Sequence, residues 1–189
     1  MRQANLVGTC TADDPACARK QPLAPLAIGT RFHPDVTTEL PGTATPNLVL
    51  DSANPGVLAV EQGALVAKAP GASAMLISTE DGAVIDFLHV WVAPATSISL
   101  ARRDGDRIEG PIGLTVGEDL TLVPTLWNGA QRLAGSGETT WTVSGEGALA
   151  VMRDGSSDRR RLRARAPGKA TVTVAVGETT TTVDVEVQP

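Results

Sequence analysis

The feature that most constrains this 189-residue chain is that its second half repeats the order of its first. In the first half, Asn54-Pro55-Gly56-Val57-Leu58-Ala59-Val60 leads through Gly63-Ala64-Leu65-Val66-Ala67 to Ala69-Pro70-Gly71. An alternating stretch, a turn and a closing Val90-Trp91-Val92-Ala93-Pro94 follow. In the second half, Gly147-Ala148-Leu149-Ala150-Val151 leads through Leu162-Arg163-Ala164 to Ala166-Pro167-Gly168. There Ala170-Thr171-Val172-Thr173-Val174 comes next, and Val185-Glu186-Val187-Gln188-Pro189 closes the chain. Similarity at this spacing reads as two units of one architecture. The second unit carries a longer connection, Arg153 to Arg161, where the first has only Glu61-Gln62-Gly63.

Both repeats read as strands, because apolar and polar residues alternate and valine and threonine are abundant. No segment has the period of a long helix. Asp81-Gly82, Asn128-Gly129 and Asp154-Gly155 supply the positive backbone angles that tight hairpins need. Short strands and turns in units of roughly 70 to 95 residues predict an all-β chain of two tandem antiparallel β-sandwiches. Apolar residues make up 42% of the chain, aromatics only 3%, and tyrosine is absent, so the cores must be aliphatic. The expected division is an irregular N-terminal extension over 1–25, a first domain over 26–94 and a second over 95–189.

The second repeat resembles the bacterial immunoglobulin-like domains of group 2. Leu114-Thr115-Val116-Gly117-Glu118 before Leu120-Thr121-Leu122 looks like that family's early strand. Thr140-Trp141-Thr142-Val143-Ser144 looks like its tryptophan-bearing strand, and Ala166-Pro167-Gly168-Lys169-Ala170-Thr171-Val172 like its most recognisable stretch. The first repeat keeps Leu50-Asp51-Ser52-Ala53-Asn54-Pro55 and Ala69-Pro70-Gly71, and departs where the tryptophan belongs, at Leu48 or Leu50. The resemblance covers roughly residues 26–189. It implies immunoglobulin-like sandwiches in a surface protein, adhesin or spacer module of bacteria or their phages, and specifies function poorly.

Catalysis by acid and base usually needs a group that titrates near neutrality, and the chain offers only His33 and His89, neither in a catalytic spacing. No Gly-x-Ser-x-Gly elbow and no phosphate-cradling glycine loop occurs. No catalytic residue and no cofactor is expected. A closed zinc site wants four clustered ligands, and Asp104-Gly105-Asp106 and Asp13-Asp14 lack the surrounding loop of a calcium site, so no metal is expected either. The net charge is -5, against the basic field of a general nucleic-acid binder. No run of about 18 apolar residues is present, so no membrane span is expected, and the start MRQANLVGTC lacks the apolar core of a signal peptide. Cys10 and Cys17, seven apart, suit a small disulfide loop in an oxidising compartment, with two free thiols as the alternative. An extracytoplasmic protein, whether secreted, periplasmic or at the cell surface, is the matching expectation.

Three surface features stand out. Arg161, Arg163 and Arg165 would share one strand face while Leu162 and Ala164 point inward, a candidate anion-binding row whose bland reading is a solvated outer strand. Trp127, before Asn128-Gly129, would sit at a hairpin tip where a ring could stack on sugar, whereas Trp141 reads as core. The sharpest contrast lies in the closing strands. In the second repeat Val183, Val185 and Val187 alternate with Thr182, Asp184 and Glu186, one face dry and one wet. In the first, Leu88, Val90 and Val92 alternate with Phe87, His89 and Trp91, and Leu76 stands outward where the second repeat has Thr173. Leu76, Phe87, His89 and Trp91 therefore form a candidate interaction face, and soluble monomers avoid such patches unless they serve a purpose. The expected function is a non-enzymatic structural, spacer or adhesive module of a bacterial or phage surface assembly, acting through a protein partner or self-association. The alternative is a carbohydrate-binding module at the cell surface.

Overall fold

The computed structural model describes residues 4–8, 24–38, 47–145, 147–152 and 159–189, and the regular elements among them are all strands. The chain divides into two units. Unit 1 comprises Met1–Pro94 with Leu133–Gly135; unit 2 comprises Ala95–Arg132 and Ser136–Pro189.

The strands of unit 1 are β1 (Ala4–Gly8), β2 (Leu26–Ala27), β3 (Arg31–Phe32), β4 (Pro34–Thr38), β5 (Leu48–Ser52), β6 (Leu58–Glu61), β7 (Ala64–Ala67), β8 (Gly71–Thr79) and β9 (Val84–Ala93). One sheet runs β2-β9-β8-β5 and the other β3-β7-β6, while β1 pairs antiparallel with β4. The N-terminal stretch thus contributes a strand, with Leu6 opposite Val36. Cys10 and Cys17 lie outside the described residues. The core draws on both sheets: Phe32, Leu58, Leu65 and Ala67 from one meet Leu26, Met75, Ile77, Val90 and Val92 from the other. The segment Leu133–Gly135 belongs to this unit through the Ala27 N–H, which donates to the Ala134 carbonyl, and the Ala134 N–H, which donates to that of Pro25 (3.0 and 2.8 Å).

Unit 2 contains β10 (Ser97–Arg102), β11 (Ile112–Thr115), β12 (Asp119–Asn128), β13 (Gln131–Arg132), β14 (Thr139–Ser144), β15 (Leu149–Val151), β16 (Arg160–Ala164), β17 (Gly168–Val176) and β18 (Thr179–Gln188). Its sheets run β10-β12-β16-β15, with β13 on β12, and β11-β18-β17-β14. In immunoglobulin lettering these are A-B-E-D and A′-G-F-C, the strand order of that sandwich. Unit 1 follows the same scheme, and in both the A′ strand runs parallel to the last strand, β2 to β9 and β11 to β18. Leu120, Leu122, Leu126, Leu149 and Leu162 are buried on one sheet, and Val172, Val174, Val183, Val185 and Val187 on the other.

Register makes the two units comparable residue by residue. Gly71 opposes Val92 and Leu76 opposes Phe87; Gly168 opposes Val187 and Thr173 opposes Thr182. On the neighbouring strand Leu50 opposes Ile77, as Trp141 opposes Val174, so Leu50 and not Leu48 stands in the tryptophan's place. The Pro-Gly that opens β8 and β17 has a steric reason. Gly71 and Gly168 adopt φ of 142° and 153°, where an L side chain is strained, and a Cβ at Gly168 would crowd Ala148 while one at Gly71 would touch Val57. Unit 1 also buries a polar pair. The Ser52 and Ser73 hydroxyls lie 2.9 Å apart, and the Asn54 N–H donates to Ser73 Oγ at 2.9 Å, fixing the corner after β5.

Candidate functional site

Strand β9 alternates sides, so its even positions Leu88, Val90 and Val92 turn to the core and its odd positions turn outward. Phe87 and Trp91 are 55% and 60% exposed, and His89 between them is also exposed. On β8 Leu76 stands opposite Phe87, Ala74 opposite His89 and Ala72 opposite Trp91. Leu76 is half-buried. The His89 ring meets Phe87 edge-on, with centroids 5.4 Å apart and planes at 87°. Asp51 on β5 continues the Phe87–Leu76 row.

The face is wider than the closing strand alone suggests. Val49, across from Ser78 on β5, and Val84, at the start of β9, are 45% and 58% exposed. Val49 sits in Leu48-Val49-Leu50, an unbroken apolar run whose middle residue must turn outward on a two-sided strand; that run was the available signal. Ala72 and Ala74 matter by their smallness, leaving the aromatic rings standing proud of the sheet.

The same positions in unit 2 form a polar ladder. Lys169 opposes Glu186, Thr171 opposes Asp184 and Thr173 opposes Thr182, and the Thr171 hydroxyl donates to Asp184 Oδ1 at 2.8 Å. Between two sheets of equal register, a wet ladder has become a dry one. The exposed parts of Phe87 and Trp91 amount to roughly 250 Å² of aromatic surface, worth about 6 kcal/mol gross if covered. That is comparable to the lower range of the rotational and translational cost of association, so a stable contact needs the polar rim as well.

The rim of unit 1 is acidic. Strands β5, β8 and β9 contain no lysine or arginine, while Asp51 lies on the face, Glu80 and Asp81 at the β8–β9 turn and Asp86 near the start of β9. The basic residues Arg31 and Lys68 both reach Glu61, at 3.1 Å each. Thr79 donates its hydroxyl to Asp81, and with a backbone hydrogen bond from Ala83 this holds the Asp81 carboxyl below the usual aspartate value.

The arginine row on β16 faces outward as alternation requires, with Arg163 and Arg165 exposed and Arg161 half-buried. Arg161 and Arg163 converge on one carboxylate, Asp119 of β12, at 3.6 and 3.4 Å. Trp127 is half-buried and donates its indole N–H to Ser99 Oγ at 2.7 Å across the β10–β12 pair, so its ring does not stand free at a tip. Trp141 faces inward on β14, and its Nε1 is buried without a hydrogen-bond partner among the described residues. Asp104-Gly105-Asp106 forms a turn closed by the Arg102 N–H on the Asp106 carbonyl, at 2.8 Å. His33 is exposed between β3 and β4. No group of three or more His, Cys, Asp or Glu able to hold a metal occurs among the described residues. No helix of the described residues is long and apolar enough to cross a membrane. An open groove of about 370 Å³ between β10, residues 107–111 and β18 holds Arg107, Glu109 and Asp184 beside hydroxyls. It offers no pairing of a nucleophile with a base.

No protein-family model matches the sequence, and no curated protein matches it. Solved structures do. Domains 4 and 5 of the S-layer protein SbsC align over 99% of this chain and 98% of theirs, at 16% identity and a TM-score of 0.38. The Escherichia coli adhesin FdeC aligns over 100% and 66% at 9% identity and 0.39. Invasin, a bacterial integrin-binding protein, aligns over 98% and 40% at 13% and 0.41. The chain spans 28% of a longer SbsC structure.

Proposed function

We propose that this chain is a non-catalytic structural, spacer or adhesive module of a bacterial or phage surface assembly, working outside the cytoplasm through protein–protein contacts made by the Phe87–Trp91 face of unit 1. One observation carries the reading: two aromatic residues are more than half exposed at positions where unit 2, in the same register, has Thr182 and Glu186. A sandwich needs only one dry side per sheet, so the second dry side in unit 1 adds nothing to its own core. Exposed aromatic surface with a charged rim is the composition of protein contacts, where tryptophan anchors dominate the energy. Glycan binding fits less well, because Trp127 is tied to Ser99 and the Phe87 and His89 rings stand perpendicular rather than as a coplanar platform.

The test is a pair of substitutions, Phe87→Ser and Trp91→Ser, in the full chain. Both side chains are surface groups, so circular dichroism and thermal unfolding should stay close to wild type. Self-association, or binding to the surface of the source cell, should fall by about tenfold or more for a buried aromatic anchor. Unchanged association in a folded variant would remove the reading.

A further inference from the structure

We infer that unit 2 carries, in its Gly113–Thr115 edge, an open copy of a strand seat that unit 1 holds filled, and that its occupant is an extended Leu-Ala-Gly-like segment of another immunoglobulin-like unit. The filled seat is the outer edge of β2. There the Ala27 N–H donates to the Ala134 carbonyl and the Ala134 N–H donates to the Pro25 carbonyl, a parallel bridge that lays Leu133–Gly135 along the strand. Leu26, Ala27 and Thr30, which form the seat, are fully buried, and Leu133 is buried as well. Gly135 is fitted to it, because a Cβ at that position would collide with Thr30 Oγ1.

The backbone bonds around this edge recur in unit 2. The Ile28 N–H donates to the Ala93 carbonyl as Val116 does to Gln188, and Gly29 to Ala67 as Gly117 does to Ala164. Thr30 donates to Ala27 as Glu118 does to Thr115, and Ala67 to Thr30 as Ala164 does to Glu118. Gly29 and Gly117 share a left-handed backbone, with φ of 79° and 89°. Thr115 therefore stands where Ala27 does, and Gly113 where Pro25 does. Because alternate backbone groups of a strand turn to opposite neighbours, the Thr115 N–H and the Gly113 carbonyl point away from β18. Among the described residues no strand pairs with that side of β11, and the Thr115 N–H is met by Glu118 Oε2 of its own turn, at 2.9 Å. Gly113, Thr115, Val116 and Glu118 are exposed, whereas Pro25, Ala27, Ile28 and Thr30 are buried or half-buried. The occupant follows from these groups: a small residue that offers both its N–H and its carbonyl to the edge, followed by a glycine. Extended segments add to sheet edges by this pairing. Glu118 covers the Thr115 N–H until an incoming carbonyl displaces it.

Gln188 stands opposite Thr115, so a segment fused after Pro189 starts beside this edge. The test is the full chain extended there by a flexible Gly-Ser linker and a second copy of the sequence 131–137, which the tether holds at a millimolar effective concentration. Amide NMR reads the seat, and thermal unfolding verifies that each protein is folded. The expected result is displaced Gly113, Thr115 and Glu118 resonances relative to a chain that carries the linker alone. Glu118→Ala should enlarge the bound fraction by uncovering the Thr115 N–H. Thr115→Pro removes that donor at an edge position where proline is tolerated, and should abolish binding. Gly135→Val in the fused copy alone should weaken it by about fivefold or more, through backbone strain. Unmoved resonances in the Glu118→Ala chain, or equal displacement by the Gly135→Val copy, overturn the seat in unit 2. Displacements confined to Leu26–Thr30 put the fused segment on unit 1 and overturn it as well. Association through the Phe87–Trp91 face is read separately by the Phe87→Ser and Trp91→Ser pair, so neither result decides the other.

Discussion

Asp81 stands in the turn between β8 and β9, fully exposed, with the Thr79 hydroxyl and the Ala83 backbone holding its carboxylate. Both contacts favour the charged form, so its folded pKa lies below the unfolded one. The sign follows: its contribution to stability is complete above the ordinary aspartate range and is lost as pH falls through the folded value. Thr79→Val should move the Asp81 carboxyl back toward its ordinary pKa, read by NMR titration, and should shrink the acid limb of the unfolding curve. An unmoved titration would remove the hydroxyl as the cause. The Ser52–Ser73 pair makes a second residue-scale prediction. Either serine alone replaced by alanine leaves the other buried hydroxyl with fewer partners and should cost about 1–2 kcal/mol in urea unfolding. The double replacement should cost less than the two singles together. Unit 2 already shows an apolar solution, with Val143 and Ala170 at the matching registers.

At the scale of the strand, β9 presents two faces with different consequences. Ile77 on β8 and Val90 on β9 are 1% exposed. Ile77→Ala should therefore cost roughly 2–5 kcal/mol by the cavity it leaves. Phe87→Ser should change monomer stability by no more than about 0.5 kcal/mol, as surface substitutions do. A large loss for Phe87→Ser would mean that the ring is part of the fold, and chemical unfolding distinguishes the two. The openings of β8 and β17 give a matched pair: Gly71→Ala and Gly168→Ala should each cost roughly 1–3 kcal/mol, because alanine is strained at these positive φ values and its Cβ meets Val57 or Ala148. The alternation, the Asp81-Gly82 and Asn128-Gly129 turns and the outward Phe87, His89 and Trp91 were all legible in sequence, since a period of two is a local property; Asp154-Gly155 lies outside the described residues. Val49 had a local signal in its unbroken apolar run, whereas Val84 had none, because its exposure depends on which strand lies beside it.

For the whole molecule, the shared register of the two units makes a transplant possible. Giving unit 1 the ladder of unit 2 means Ala72→Lys, Ala74→Thr, Leu76→Thr, Phe87→Thr, His89→Asp and Trp91→Glu. The product should keep the far-ultraviolet circular dichroism of a β protein and gain solubility, because lysine and glutamate would face each other as Lys169 and Glu186 do. It should also bind hydrophobic dyes more weakly than the wild type. Retained dye binding would place the accessible apolar surface elsewhere.

By itself the sequence determined the class of the fold, the strands of the two repeats, the aliphatic cores and the odd aromatic face, because each is written in short-range alternation and turn chemistry, whereas β1 lies in a stretch that reads as irregular. Only the tertiary structure decided relations between distant segments. It set Leu50 in the tryptophan's register, paired β1 with β4, assigned Leu133–Gly135 to unit 1, brought Arg161 and Arg163 onto Asp119 and tied Trp127 to Ser99. Cross-strand register is the physical reason: one residue of slip exchanges the two faces of a strand, and no local pattern states which distant residue will stand opposite.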